Sequence, residues 1–292
     1  MTQPQASILS DVPAMGRYLF FSLPVDSDPS AALRELASKL DTDKNVLGIG
    51  LSTVKSLEAN ITGLKSFPSS AEAGIEIPST PMGLWLWLKG DDRGELIYRS
   101  REMRSILSSA FVLEGVVDSF MYADSRDLSG YVDGTENPTG DEATAAAIVN
   151  ENSSLDGSSF VAVQQWIHDL NVLSTYEQDE RDNMIGRRIS DNEELDDAPI
   201  SAHVKRTAQE SFSPEAFVLR RSMPWSNENT EGLMFVAFGK SFDAFEALLN
   251  RMTGAEDGIT DALFKFTLPV NGSYYWCPPC KDNKLDLSQL GL

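Results

Sequence analysis

Histidine and cysteine are scarce in this chain, and that scarcity narrows the chemistry. His168, His203, Cys277 and Cys280 are the only residues of those types, so a mechanism or metal site that consumes several of either is ruled out. Three segments place strong polar groups where a plain loop would not need them. The first is Ser129-Gly-Tyr-Val-Asp133-Gly-Thr-Glu-Asn-Pro138, whose glycines let the backbone around Asp133 approach a ligand closely. The second is Ser201-Ala-His203-Val-Lys205-Arg206, and the third is Val218-Leu-Arg220-Arg221-Ser222. A carboxylate can accept a proton, an imidazole can bind a metal or shuttle a proton, and a guanidinium can stabilise a developing negative charge. Singly, each residue also has a plain reading: Asp133 as the acid of an Asx turn, His203 as a hydrogen-bonded loop histidine, Arg220 as a surface ion pair.

Other motifs fail on their spacing. Gly239-Lys240-Ser241 ends like a phosphate-binding loop, but Met234 stands where the first glycine must be. Gly48-Ile-Gly50 continues to Thr53 instead of a third glycine. Trp276-Cys-Pro-Pro-Cys280 has the spacing of a redox pair, yet only 12 residues follow it, too few for the helix and strand of a thioredoxin-type unit. Lys281, where a histidine would be needed, excludes covalent c-type haem attachment. Two buried, inert thiols are the reading we carry forward. For His168, followed by Asp169, we expect a structural histidine in a hydrogen-bonded helix start.

The elements that must position these residues can be read from the apolar pattern. An irregular arm, Met1 to Met15, leads to a strand at Arg17–Leu23 and to a helix with Ser30 as N-cap and Leu33, Leu36 and Leu40 on one face. Strands are expected at Val46–Leu51, Pro81–Gly90 and Phe111–Tyr122, with a helix over Glu95–Ser108. In Pro81–Gly90, Leu84, Leu86 and Leu88 point one way and Trp85 and Trp87 the other, so both faces are expected to be buried. The order β-α-β-β-α-β is ferredoxin-like. It recurs as a strand at Phe160–Trp166, helices from Ile167 to about Arg187, strands at Phe217–Met223 and Gly232–Phe238, a helix over Phe242–Met252 and a strand at Lys265–Val270. The expected fold is α+β, two ferredoxin-like domains over 1–150 and 151–292, the second carrying a long insertion. The acidic run Asp191–Asp197 within it reads as a solvated loop leading to His203.

With 24 Lys+Arg against 44 Asp+Glu, the net charge is −20, and nucleic-acid binding, which needs a basic footprint, is disfavoured. No apolar run approaches the ~20 residues of a membrane span, and no secretory signal is recognisable at the N-terminus. A cytoplasmic protein without nucleic-acid or membrane partners is expected.

Taken together with their neighbours, the three segments resemble one family. Gly130-Tyr-Val-Asp133-Gly followed by Thr-Glu-Asn-Pro138, Ile185-Gly-Arg187-Arg188, Ser201-Ala-His203-Val, Val218-Leu-Arg220, and Phe266-Thr through Tyr274-Tyr-Trp-Cys-Pro278 are similar to motifs of the dye-decolourising haem peroxidases, in particular their bacterial B-type members. Gln5-Ala-Ser-Ile-Leu9 is similar to the family's opening, so the resemblance extends from about residue 5 to 279. It implies two ferredoxin-like domains in a dimeric α+β barrel-like arrangement, with one haem b per chain held by the second.

By the same resemblance His203 is the proximal iron ligand, oriented by Asp261. Asp133 and Arg220 act on hydrogen peroxide from the distal side, where Ser222 is a further polar residue. Arg187 contacts a haem propionate, and Met234 and Phe235 are candidates for the haem face, with plain core as their other reading. Implied partners are hydrogen peroxide and a small reductant such as a dye or phenol, and a homo-oligomer. The tail Leu285–Leu292 faintly resembles segments that load peroxidases into an encapsulating shell protein, although a frayed terminus is its plainer reading. A haem carrier, sensor or iron-releasing protein on the same fold is the alternative function, and a non-haem interaction protein the third.

Overall fold

The computed structural model describes residues 2–71 and 74–292. The N-terminal arm is ordered: it holds a short helix, α1 (Ala6–Leu9), and buried Gln5 donates to Leu47 O and Pro278 O while accepting from Leu47 N. After it come β1 (Met15–Ser22), α2 (Ser30–Lys39), β2 (Asn45–Ile49), α3 (Leu51–Ser56), β3 (Leu84–Gly90), α4 (Arg93–Leu107) and β4 (Val112–Phe120). Ser30 opens α2 but is not its N-cap. The Asp28 carboxylate accepts from Ser30 N at 2.9 Å, so the chain turns into the helix earlier than expected. At the start of α4, Asp92 accepts from Glu95 N, which satisfies an otherwise orphaned amide.

The second half contributes α5 (Gly140–Ala147), β5 (Ser159–His168), α6 (Leu170–Ser174), α7 (Gln178–Ile185), α8 (His203–Arg206), β6 (Leu219–Arg220), β7 (Met223–Ser226), β8 (Glu231–Gly239), α9 (Asp243–Thr253), β9 (Thr267–Pro269) and β10 (Ser273–Cys277). The strand expected at Phe217–Met223 is broken into β6 and β7, and α5 and β10 were not anticipated. His168 ends a strand instead of starting a helix, and Asp169 then caps α6 by accepting from Val172 N.

Antiparallel pairing runs β4-β1-β3-β2 in the first half and β7-β8-β5-β10 in the second, the strand order of a ferredoxin-like unit in each case. Two narrow seams, Ser119 opposite Trp225 and Ile49 opposite Trp276, join these sheets into a closed ring. Alternation then sorts the side chains into two cores. Tyr18, Trp85, Trp87, Val163, Val236 and Tyr275 fill the barrel interior, whereas Leu84, Leu86 and Leu88 face outward beneath the helices with Leu33, Leu36 and Leu107. Each such large apolar side chain contributes ~1.5–3 kcal/mol when fully buried.

The last segment is folded, not frayed. Strands β11 (Cys280–Lys281) and β12 (Lys284–Leu285) form a hairpin, and Leu285, Leu287 and Leu290 are buried in the outer core because they cover apolar surface that would otherwise meet water. Cys277 and Cys280 are free and buried, and burial raises the pKa of both thiols. Among the described residues no helix is long and apolar enough to cross a membrane.

Candidate active site

A cavity with about 1530 Å³ of empty space, part of it open to solvent, lies against the outer face of β5 and β8. Trp166, Phe235, Leu248, Leu249, Met252 and Leu263 supply apolar walls, and His203, Asp133, Arg220 and Arg187 also line it.

His203 opens α8, a helix of one turn that needs external support. Buried Arg206 at its far end pairs with both carboxylate oxygens of Asp257 at 2.8 and 2.7 Å and donates to Arg251 O. Gly186, at φ +92°, ends α7 where a Cβ would run into the Val204 side chain, so the two helices approach through a glycine. His203 Nδ1 and Asp261 Oδ2 are 2.8 Å apart, and the other Asp261 oxygen accepts from Leu263 N at 2.9 Å. With Asp261 buried and both its oxygens engaged, the carboxylate is fixed as an acceptor for the Nδ1 proton. That tautomer leaves the Nε2 lone pair for a ligand.

Asp133 and Arg220 come from distant stretches and meet, with Asp133 Oδ1 and Arg220 Nη1 3.6 Å apart and both side chains partly buried. The loop around Asp133 is bolted to β6 by Asn137, whose Oδ1 accepts from Arg220 N at 2.8 Å and whose Nδ2 donates to Arg220 O at 3.0 Å. Gln209 adds a second bolt, donating to Glu136 O and accepting from Val218 N. Gly130 and Gly134, at φ +95° and +86°, supply the left-handed turns on either side of Asp133. Asn137 and Gln209 escaped the sequence reading; the Asn-Pro step after the loop was a signal for the first, and nothing marked the second.

The other expected residues divide. Phe235 faces the cavity, but Met234, its neighbour on β8, points into the barrel. Ser222 does not line the cavity: its Oγ accepts from Val236 N at 3.3 Å and it borders a second opening, shared by Asp133 and Arg220. Arg187 lines the cavity with its guanidinium 2.5 Å from Glu136 and 3.4 Å from Glu194. His168 also reaches the cavity wall, but both its nitrogens are occupied, Nδ1 by Thr267 Oγ1 at 2.6 Å and Nε2 by Asp127 at 2.9 Å. Burial pushes the Asp127 carboxyl up, and the hydrogen bonds from His168 and Ser129 with the His168 charge outweigh it, leaving a net shift downward.

Among the described residues no group of three His, Cys, Asp or Glu is placed to hold a bare metal ion. The donor set fits a metal that brings most of its own ligands: one imidazole nitrogen, apolar walls for a flat macrocycle, and an arginine for peripheral carboxylates. A family model described as "Dyp-type peroxidase, C-terminal" matches residues 124–282, a span that contains every one of these groups. The chain belongs to the Dyp-type peroxidase family. Homologues carry the name of a haem peroxidase family of oxidoreductases. A dye-decolorizing peroxidase of Mycolicibacterium paratuberculosis is 28% identical, covering 94% of this chain and 83% of that protein. One from Rhodococcus erythropolis is 31% identical over 69% of this chain and 61% of its own length.

Solved Dyp-type structures agree in fold. A putative Dyp-type peroxidase from Shewanella oneidensis superposes with a TM-score of 0.90 at 28% identity, covering 99% of this chain and 98% of that one. DyPB from Rhodococcus jostii gives 0.86 at 28%, covering 94% and 95%, and variants of that protein have been solved in complex with heme. The α+β barrel-like fold and membership of a haem peroxidase family therefore stand on sequence and structure alike.

Proposed function

We propose that this Dyp-type peroxidase binds one haem b per chain through His203 and uses hydrogen peroxide to oxidise small reductants such as dyes or phenols, with Asp133 and Arg220 in place of a distal histidine. The observation that carries the reading is one cavity bordered both by an imidazole whose Nδ1 is held by Asp261 and by the Asp133–Arg220 pair. When bound, haem supplies the iron at which peroxide is cleaved and the oxidising power passed to the reductant.

The chain's own groups do the rest. Asp261 accepts from Nδ1, so His203 presents Nε2 to iron as a neutral but electron-rich ligand. Asp133 accepts a proton from the inner peroxide oxygen and returns it to the outer one, so that water can leave. Arg220 faces the negative charge that develops as the O–O bond breaks. Neither nitrogen of His168 is free for this work. Arg187 is placed at the cavity for a propionate, which would have to share the guanidinium with Glu136. We read the chain as ferredoxin-like halves over 1–150 and 151–292.

The test is spectroscopic. His203→Ala should abolish the Soret band of protein expressed with haem supply, and His168→Ala should leave it in place. Retention of a normal Soret band by the first variant would sink the ligand assignment. Failure of the wild-type holoprotein to respond to one equivalent of peroxide in stopped flow would favour a haem carrier or sensor.

A further inference from the structure

Inside the barrel, four aromatic side chains that carry polar atoms lie in a row. Tyr275 stacks on Trp85 with ring centroids 5.8 Å apart, Trp85 on Tyr18 at 6.2 Å, and Tyr18 on Trp87 at 5.7 Å, with interplanar angles between 14° and 20°. Lys89 Nζ caps the row 4.5 Å from the Trp87 ring centre. All four rings are 0% exposed. Two glycines on the strands make room: a Cβ on Gly48 would stand 2.7 Å from Tyr275 Cβ and 3.1 Å from the Trp85 ring, and one on Gly16 would stand 2.8 Å from Trp87 Nε1.

Packing alone is a poor account of the row. Neither indole N–H has a hydrogen-bond partner among the described residues, and the hydroxyls of Tyr18 and Tyr275 have only the hydroxyls of Ser119 and Ser273 near them. An unpaired buried polar group costs ~1–3 kcal/mol, and phenylalanine or leucine would fill similar space without it. One end of the row also approaches the site. Met223 borders the second opening together with Asp133 and Arg220, and its Sδ would lie 3.0 Å from the same Gly16 Cβ that Trp87 would touch. Ser119 Oγ, 3.4 Å from that sulfur, holds it in place.

We propose that the row Trp87–Tyr18–Trp85–Tyr275, entered through Met223, is an internal electron reserve that supplies an electron to the peroxide reaction when no reductant is present. The inference rests on the peroxidase reading of the cavity. Reduction of one hydrogen peroxide to two waters takes two protons and two electrons. With a reductant available, both electrons come from it in the end. Without one, the cofactor gives one electron and the indole of Trp87 the other, leaving an indole radical cation.

The radical keeps its Nε1 proton because no carboxylate or imidazole among the described residues is hydrogen-bonded to it, and the hole is shared with Trp85 across Tyr18. Burial raises the pKa of both tyrosine hydroxyls, and neither has a base to take its proton, so the tyrosines bridge and do not trap the hole. A reductant arriving later returns one electron and restores the indole. Exclusion from water protects the radical meanwhile from hydroxylation.

Lys89 opposes the charge. Burial pushes its ammonium down to about 7, the nearby Arg221 acts in the same direction and Asp11 against it, and the amine is held by Ser7 O and Ser10 Oγ, while Arg99 donates to its backbone oxygen. The cation over Trp87 is therefore lost as the pH rises through about 7.

The experiment mixes holoprotein with one equivalent of peroxide, without reductant, and traps the product by rapid freezing for electron paramagnetic resonance. Protein with ring-deuterated tryptophan should give an organic radical whose hyperfine structure narrows, and Trp87→Phe should lose most of that signal while retaining its Soret band and its optical response to peroxide. Lys89→Met should increase the radical yield at pH 6 more than at pH 8. A normal optical response with no tryptophan radical, or an unchanged radical in Trp87→Phe, overturns the reserve alone. A Soret band that does not respond to peroxide overturns the peroxidase reading and the reserve with it.

Discussion

Asp133 and Arg220 stand 87 positions apart in the chain and are united by a residue that does no chemistry. Asn137 pairs with both backbone atoms of Arg220, so the acid loop and the arginine strand move as one piece. Asp133→Asn keeps the size of the side chain and removes the proton acceptor. It should bind haem normally and react with peroxide ~10²–10⁴-fold more slowly, the usual worth of a positioned base, as read by single-turnover stopped flow. An unchanged rate would shift the work to Arg220. Asp133, His203 and Arg220 could be singled out in the sequence through motifs similar to a known family's, since each alone has a plain reading. Gln209 could not, since a glutamine that bonds two backbone segments has no local pattern to betray it.

Elements decide whether His203 is held well enough to serve. A one-turn helix cannot sustain itself, since it leaves most of its backbone groups unpaired. The Arg206–Asp257 pair anchors one side of α8, and the glycine-mediated contact with α7 anchors the other. Gly186→Ala therefore meets both a left-handed φ and the Val204 side chain, and we expect a loss of ~1–3 kcal/mol, read as a lowered Tm, with faster haem loss to an external acceptor. A Tm within error of the wild type would mean that α8 can shift without penalty.

Alternation in β3 announced two buried faces correctly, with leucines outward and tryptophans inward. Strand β10, Ser-Tyr-Tyr-Trp-Cys, is buried at every position and so shows no alternation to detect. Helix α5 is short and offers little beyond alanine to its buried face. Closure of the barrel rests on the two seams, each a single residue pair, too small a signal for any pattern in the chain.

For the molecule as a whole, charge and connectivity set the remaining expectations. A net charge of −20 should repel anionic reductants and favour cationic or neutral ones. Lowering the pH protonates carboxylates and removes negative charge, so steady-state oxidation of an anionic dye should improve relative to a cationic one, and added salt should narrow the gap between them. Identical pH and salt profiles for the two dyes would reduce the charge to a solubility feature.

The chain also nearly meets itself: Gln3 and Cys280 exchange backbone hydrogen bonds at 2.9 and 2.6 Å. The arm that this contact holds down is therefore a neighbour of the closing hairpin, and the order in which the halves are written is open to rearrangement. A circular permutant that begins at Asn152, in the exposed stretch before β5, and joins the old ends by a flexible linker of about ten residues, which can reach ~35 Å, should fold and take up haem. It would place His203, Arg220 and Phe235 early in the chain and the Asp133 loop, which closes the same cavity, last of all.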